Sequence, residues 1–268
     1  MATEKGKAEK RQDEILRLLN SNDVVTISVF CEKTGCSEST IRNDLARLEK
    51  KGLLRRTFGG AVKTNTTPYN LEDWSSRETI YLKEKQAIAR YVAENLLVPH
   101  TTVILDAGTT CLEVAREIAR RDIKLTVLTS SARAAFILMS VPDNIDLYLF
   151  GGMYNAKRSS FYDEYQQFVL EKMRANLFLM GINGVSPDLG LTITGGDEAG
   201  AKINLMNISA KSIALADHSK VGRNSLKFIC DLSAIDGMVT DSGISDESVE
   251  EFRKKGVNVM IAPVQETS

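Results

Sequence analysis

The run SESTIRNDLARLEKKGLLRRTFGGA, residues 37–61, crowds cations into one short segment and then turns at a Gly-Gly pair. Ser37 suits an N-cap and Gly52 a helix end, so the spacing predicts a helix from Ser37 to about Lys51. At about 100° per residue, Ile41, Leu45 and Leu48 fall on one side. Ser39, Asn43, Ala46, Arg47 and Lys50 fall on the other, with Thr40 and Arg42 on the flanks. The outward face is small, hydrogen-bonding and cationic, which suits a major groove: such groups read base edges and touch phosphates. Leu53, Leu54, Phe58 and Val62 then supply apolar positions for two short strands, with Gly59-Gly60 at the turn. Arg55, Arg56 and Lys63 put charge on that hairpin, as contact with a nucleic-acid backbone or minor groove requires.

Upstream, Ile15, Leu18 and Leu19 share a helical face, and the polar run Asn20 to Asp23 breaks it. Thr26 is placed to cap a second short helix ending at Thr34, with Gly35 at its C-terminus. Two helices joined by a short glycine-containing turn form a helix-turn-helix pattern. The expected partner is a double-stranded DNA operator. The candidate contact residues are Ser37, Ser39, Thr40, Arg42, Asn43, Arg47, Lys50, Arg55 and Arg56. The charge distribution agrees. Residues 1–63 hold 13 Lys/Arg against 9 Asp/Glu, net +4, whereas the remainder holds 21 against 26, net −5. Taken singly, these residue types are uninformative, and a solvated helix with an ordinary hairpin is the plainer alternative.

The run from Ser37 to Ala61 closely resembles the N-terminal winged helix-turn-helix of the DeoR family of bacterial transcriptional repressors. The resemblance rests on Ser37, Thr40-Ile41-Arg42, Asp44-Leu45, Leu48-Glu49, Gly52, Arg56 and Gly59-Gly60-Ala61. That family usually has two arginines before the aspartate, whereas Asn43 stands second here. The difference bears on which operator is read, because Asn pairs bidentately with adenine where Arg favours guanine.

The expected organisation is a DNA-binding domain at 1–63, a polar linker at 64–76 and a larger domain at 77–268. Beyond the linker, helical and strand patterns alternate from KEKQAIARYVAENLL and TVILDAG to VNVMIAP. This alternation predicts an α/β fold with a mostly parallel, doubly wound sheet. Ligands in such sheets bind at the carboxyl ends of the strands, and the polar residues cluster there. Asp106, Gly108, Thr109 and Thr110 follow the first strand, where free helix amides and hydroxyls suit a phosphate. Thr129 and Ser130 follow the second, and Gly151-Gly152 end the third. Glu198 and Lys202 stand at i and i+4, the spacing of a surface ion pair, and Lys220 lies just past a later strand. Trp74, the single tryptophan, is expected to pack against a domain rather than to serve a ligand.

This larger part also resembles the DeoR family, through Asp106-Ala107-Gly108-Thr109-Thr110, Gly151-Gly152, Gly181, Glu198-Ala199 with Lys202, Asp217 with Ser219-Lys220, and Thr240-Asp241. The resemblance implies a fold similar to ribose-5-phosphate isomerase and a phosphorylated-sugar effector bordered by Asp106, Gly108, Thr109, Thr110, Lys202 and Lys220. Two departures, Thr129-Ser130-Ser131 and Tyr162-Asp163, bear on the shape of that pocket. The function so implied is repression of a carbohydrate operon by a homodimer or homotetramer, released or modulated by the sugar phosphate.

The alternative reading is an aldose-ketose isomerase with a DNA-binding appendage. Glu198 would move the proton and Lys202 or Lys220 would hold the enediolate oxygen. A further alternative is a larger domain that only dimerises. No apolar run approaches a membrane span, and no signal-peptide core is visible at the N-terminus. The four cysteines form no CxxC pair, and there are two histidines, so a cytoplasmic protein is expected, with neither metal nor cofactor.

Overall fold

The computed structural model describes residues 11–12, 14–19, 24–50, 53–57, 60–63, 74–163 and 166–265. The chain divides into two compact units, Met1–Leu71 and Glu72–Ser268.

In the first unit, residues 11–12 and 14–19 are helical (α1). They are followed by β1 (Val24–Thr26), α2 (Ile27–Thr34), α3 (Glu38–Lys50), β2 (Leu54–Thr57) and β3 (Gly60–Lys63). The apolar stripe of α3 goes inward as its period requires. Ile41, Leu45 and Leu48 are buried against Ile15, Leu19, Phe30 and Leu54. Gly35 ends α2 in the left-handed conformation (φ +67°), where its amide donates to the Cys31 carbonyl at 2.9 Å. Thr26 occupies the N-cap of α2, but its hydroxyl bonds Ser28 at 2.9 Å instead of capping. β2 and β3 form the expected hairpin. An unexpected strand, β1, joins it antiparallel to give the order β1-β3-β2. A Cβ on Gly60 would sit 2.1 Å from the Val25 carbonyl oxygen, so this glycine admits β1. The helix end at Gly52 and the turn residue Gly59 lie outside the described residues.

The second unit begins with α4 (Trp74–Thr79) and α5 (Leu82–Asn95). The linker expected at 64–76 is corrected at its end, because Trp74 to Ser76 open a helix; the rest of it lies outside the described residues. Trp74 is buried in the core, with the Arg77 and Arg133 guanidiniums 5.3 and 5.5 Å from its ring centroid, as its packing role requires. There follow β4 (Thr102–Leu105), α6 (Thr109–Ala119), β5 (Leu125–Thr129), α7 (Ala132–Leu138) and β6 (Ile145–Leu149). A hairpin of β7 (Met153–Asn155) and β8 (Ser160–Tyr162) leads to α8 (Gln166–Leu170) and β9 (Leu177–Gly181). The remainder is β10 (Gly184–Ser186), β11 (Gly190–Ile193), α9 (Gly196–Asn207), β12 (Ser212–Leu215), β13 (Lys227–Cys230), β14 (Gly237–Asp241), α10 (Asp246–Lys254) and β15 (Val259–Ala262).

Seven strands form a wholly parallel sheet in the order β15-β14-β12-β9-β4-β5-β6. Its central strands are apolar on both faces, as burial between two layers demands. Val103, Leu105, Leu177 and Leu179 meet α5 and α6 on one face, while Ile104, Phe178 and Met180 meet α9 and α10 on the other. A small antiparallel sheet, β10-β11-β13, packs into the second of these cores. From β4 the chain builds outward through β5 and β6. From β9 it builds the other way, through β12, β14 and β15. The strand order therefore reverses between β4 and β9, which opens a crevice at their carboxyl ends.

Candidate functional sites

On the first unit, α3 exposes Ser39, Asn43 and Arg47 one turn apart, with Arg42 beside them and Thr40 half-buried. The Ser37 hydroxyl bonds those of Ser39 at 3.1 Å and Thr40 at 2.9 Å, gathering three hydroxyls at the start of the helix. The cations are less free than their number implies. Arg42 donates from Nε to Glu38 at 2.9 Å, and Arg56 donates to Glu49 through its backbone amide (2.8 Å) and Nε (2.7 Å). Those bonds from Arg56 hold the Glu49 carboxyl below its ordinary pKa. Exposed pairs of this kind contribute about 0–1 kcal/mol, so a phosphate can replace either carboxylate at little cost. Arg47 pairs with no carboxylate among the described residues. The side chains of Lys50 and Arg55 lie outside the described set.

Asp44, on the opposite side of α3, is a residue that sequence reasoning missed. It is buried and accepts from Arg11 Nε and, at 3.1 Å, from Gln12 Nε2, which ties α1 to α3. A carboxylate inside an apolar helical stripe is the signal that could have found it.

On the second unit, the crevice between β4 and β9 holds Asp106. Its Oδ1 accepts from the Ala107 amide at 2.8 Å and its Oδ2 from the Gly181 amide at 2.9 Å. Lys202, reaching from α9, pairs with Oδ2, and both residues are buried. Gly108 caps α6 in extended conformation, and a Cβ placed there would meet nothing within 4 Å, so the fold itself does not require glycine at this position. No side chain caps this helix and its first turn carries no acid, leaving the Thr109, Thr110 and Cys111 amides unclaimed by the helix.

Asp106, Ser130, Asn155, Arg158, Glu198 and Lys202 line a cavity with about 70 Å³ of free volume. The β7–β8 hairpin forms its outer wall. Arg158 crosses from the hairpin to Glu198 at 2.8 Å, and a side chain on Gly195 would collide with its guanidinium. Neither the hairpin nor Arg158 is legible in the sequence; three-residue strands have no readable period, and an arginine in a turn reads as solvated.

Not every expected residue lines this cavity: Gly108, Thr109 and Thr110 stand at the start of α6, next in the chain to its wall residues Asp106 and Ala107 but not in its lining. Glu198 and Lys202 line the cavity but do not pair with each other: Glu198 pairs with Arg158 and Lys202 with the buried Asp106. Thr129 is buried, its hydroxyl accepting from the Ser131 amide at 3.0 Å to shape the turn into α7. Gly151 lies outside the cavity wall, its carbonyl accepting from Gln166 at 2.7 Å. Gly152 is structural, with φ +126° and the Tyr162 carbonyl 2.5 Å from any Cβ. Lys220 sits in the 3-10 turn His218–Lys220 after β12 and is not among the lining residues of this cavity. Tyr162 does line it.

His218, which opens that turn, pairs with Asp241 at the end of β14. His218 Nδ1 and Asp241 Oδ2 are 2.8 Å apart, with the Tyr81 ring edge-on to the imidazole. The bond to Asp241 raises the His218 pKa, outweighing burial. Burial pushes Asp241 up, but bonds from His218 and Gly243 hold it below the ordinary value. Protonated His218 therefore stabilises the folded unit fully below the unfolded value of about 6.5, and this is lost as pH rises through the folded pKa. Burial lowers Lys85 to about 8, which works the other way at higher pH, so the comparison needed is with a variant. The stability advantage of wild type over His218→Asn is expected to shrink in thermal unfolding as pH rises above about 6.5. A constant difference would contradict this assignment.

Similarity to known proteins agrees with the division into two units. The family described as DeoR-like helix-turn-helix domain matches residues 11–67, and DeoR C terminal sensor domain matches residues 81–242. The HTH-type transcriptional regulator GlpR of Haloferax volcanii is 32% identical over 251 residues, covering 94% of this chain and 96% of GlpR. The lactose phosphotransferase system repressor of Staphylococcus epidermidis is 29% identical over 245 residues, covering 90% of this chain and 96% of the repressor. Among solved structures, ribose 5-phosphate isomerase A from Methanocaldococcus jannaschii is 16% identical with a TM-score of 0.40, covering 53% of this chain and 55% of the isomerase.

Proposed function

Since this chain belongs to the DeoR family of transcriptional regulators, we propose that it represses a carbohydrate-metabolism operon and is released by a phosphorylated sugar bound at the β4/β9 crevice. The observation that carries the DNA half is the exposed Ser39, Asn43 and Arg47 face of α3 beside the hairpin bearing Arg56. Asn43 reads a base and Arg47 and Arg42 hold phosphates. Arg47→Ala is expected to weaken operator binding more than Arg42→Ala, because the Arg42 charge is already shared with Glu38. Loss of one phosphate contact lowers the salt slope by about 1 unit. Fluorescence anisotropy at several salt concentrations measures both, and wild-type affinity in both variants would contradict this docking.

The effector half rests on the crevice. The unclaimed amides and hydroxyls at Thr109 and Thr110 take the phosphate, where the helix dipole favours an anion. Asp106, Ser130 and Lys202 face the sugar. A free volume of 70 Å³ is well below the roughly 300–1,000 Å³ of ligand sites, so entry parts the Arg158–Glu198 bridge and displaces the hairpin. The Glu198 carboxylate in this reading is a latch for Arg158, so the protein acts by binding rather than turnover, in the cytoplasm and as an oligomer. A sensitive isomerase assay tests that directly.

A thermal-shift screen of sugar phosphates, followed by operator binding with each hit, identifies the effector. Thr109→Val with Thr110→Val removes two hydroxyls at similar volume. A hydrogen bond to a charged group is worth about 1.5–3 kcal/mol, so effector affinity is expected to fall tenfold or more, with operator affinity unchanged in its absence. Wild-type calorimetric affinity in that variant would move the phosphate elsewhere.

A further inference from the structure

We propose that the apolar edge of the second unit, built on β6, is the surface through which two copies of this chain associate. β6 is the last strand of the parallel sheet and hydrogen-bonds only to β5 among the described strands. Its sequence, Ile145-Asp146-Leu147-Tyr148-Leu149, has one charge and neither the lysine nor the proline that usually protects an exposed edge. Apolar side chains surround it on both faces. Phe136 and Met139 project from α7, Tyr148 and Leu149 from β6 itself, and Phe168 and Val169 from α8. β7 adds Met153 and Tyr154, and all eight are between 43% and 75% exposed.

The area decides what this surface is. With an aromatic side chain worth about 150–250 Å², the exposed parts of these residues come to roughly 900 Å². A monomer rarely leaves an apolar patch above about 300–600 Å², whereas one side of a standard interface buries about 800 Å². An open groove of about 350 Å³ between β6 and α8, walled by Tyr148, Leu149, Val169 and Met173, is ready to accept a side chain from the other copy. The opposite edge of the sheet, β15, exposes one large apolar residue, Ile261, at 37%.

The choice of a second copy as occupant rests on the operator-binding reading. One helix-turn-helix reads a short half-site, and a two-fold pair reads two. A two-fold axis also presents the same patch to itself, which a mostly apolar surface tolerates, its charges here being Asp146 on β6 and Asp163 at the groove.

Oligomeric state is measured without DNA, so its outcome is separate from whether the protein binds an operator. Sedimentation equilibrium of the full chain is expected to show a dimer. Phe136→Glu with Tyr148→Glu, neither of which lines the effector cavity, is expected to raise the dimer dissociation constant roughly 100-fold or more. Ile261→Glu is expected to leave it unchanged. A monomeric wild type, a folded double variant that dimerises like wild type, or loss of the dimer in Ile261→Glu would each overturn the proposal. Should the double variant fail to fold, hydrogen exchange of the wild type across protein concentrations decides. Protection that grows with concentration in 145–154 and 166–170 supports the interface. Protection confined elsewhere, or equally strong there in the dilute monomer, overturns it.

Discussion

Lys202→Met should abolish the effector response while leaving operator binding near wild type. The ammonium is buried against Asp106 at the floor of the cavity, so its removal acts twice. Breaking a buried pair by deleting one partner costs about 3–5 kcal/mol, because the remaining charge is left uncompensated. Asp106 retains the Ala107 and Gly181 amides, which places the cost toward the lower end. In a unit of this size about 3 kcal/mol lowers the unfolding midpoint by roughly 6–12 °C. Effector affinity should fall by about 100-fold, since the cavity loses its innermost cation and keeps an anion. A second variant separates the two effects. Asp106→Leu combined with Lys202→Met removes both charges and should recover part of the stability but none of the effector response. Calorimetric unfolding and effector titration of both proteins provide the check. Recovery of effector binding in the double variant would mean that the pair serves the fold alone.

The second large effect is expected at a residue that touches neither proposed ligand. Asp44→Ala removes the acceptor that joins Arg11 and Gln12 of α1 to α3. The carboxylate is buried although Arg11 is partly exposed, so the loss is set at roughly 3 kcal/mol, below the full value for a buried pair. A unit of about 60 residues has a thin margin, and most of it would be consumed. Operator binding should therefore be lost at physiological temperature while effector binding is retained, with a separate low-temperature transition in calorimetry. Asp44→Asn keeps an acceptor for Gln12 and should fall between the two. If Asp44→Ala binds the operator with wild-type affinity, α1 does not hold α3 in place.

The elements legible in the sequence were those whose physics is local. The 3.6-residue spacing of Ile41, Leu45 and Leu48 determines which side of α3 is buried, and by exclusion that Ser39, Asn43 and Arg47 face out. Gly35 marks the α2 end because only glycine adopts its φ of +67° without strain. Apolar runs separated by helical patterns determine a parallel sheet between two layers, and the strand ends then locate Asp106 and the start of α6.

What only the tertiary structure decided is partnership across long separations. Lys202 stands four residues from Glu198, and local spacing pairs them. Packing instead buries the lysine, and a buried ammonium requires a buried anion, found 96 positions away in Asp106. Glu198, released from that role, meets Arg158 on a hairpin whose three-residue strands are too short to show a period. The strand β1 likewise exists because Val25 meets Ala61 across the unit, not because three residues specify it. Thr129 has the chemistry of a ligand contact, but the turn into α7 consumes its hydroxyl. Residue chemistry and spacing therefore determined which groups stand on the outward face of α3 and at the strand ends. Burial, which makes each charge and hydroxyl find a partner wherever the fold places one, decided which of them remain available there.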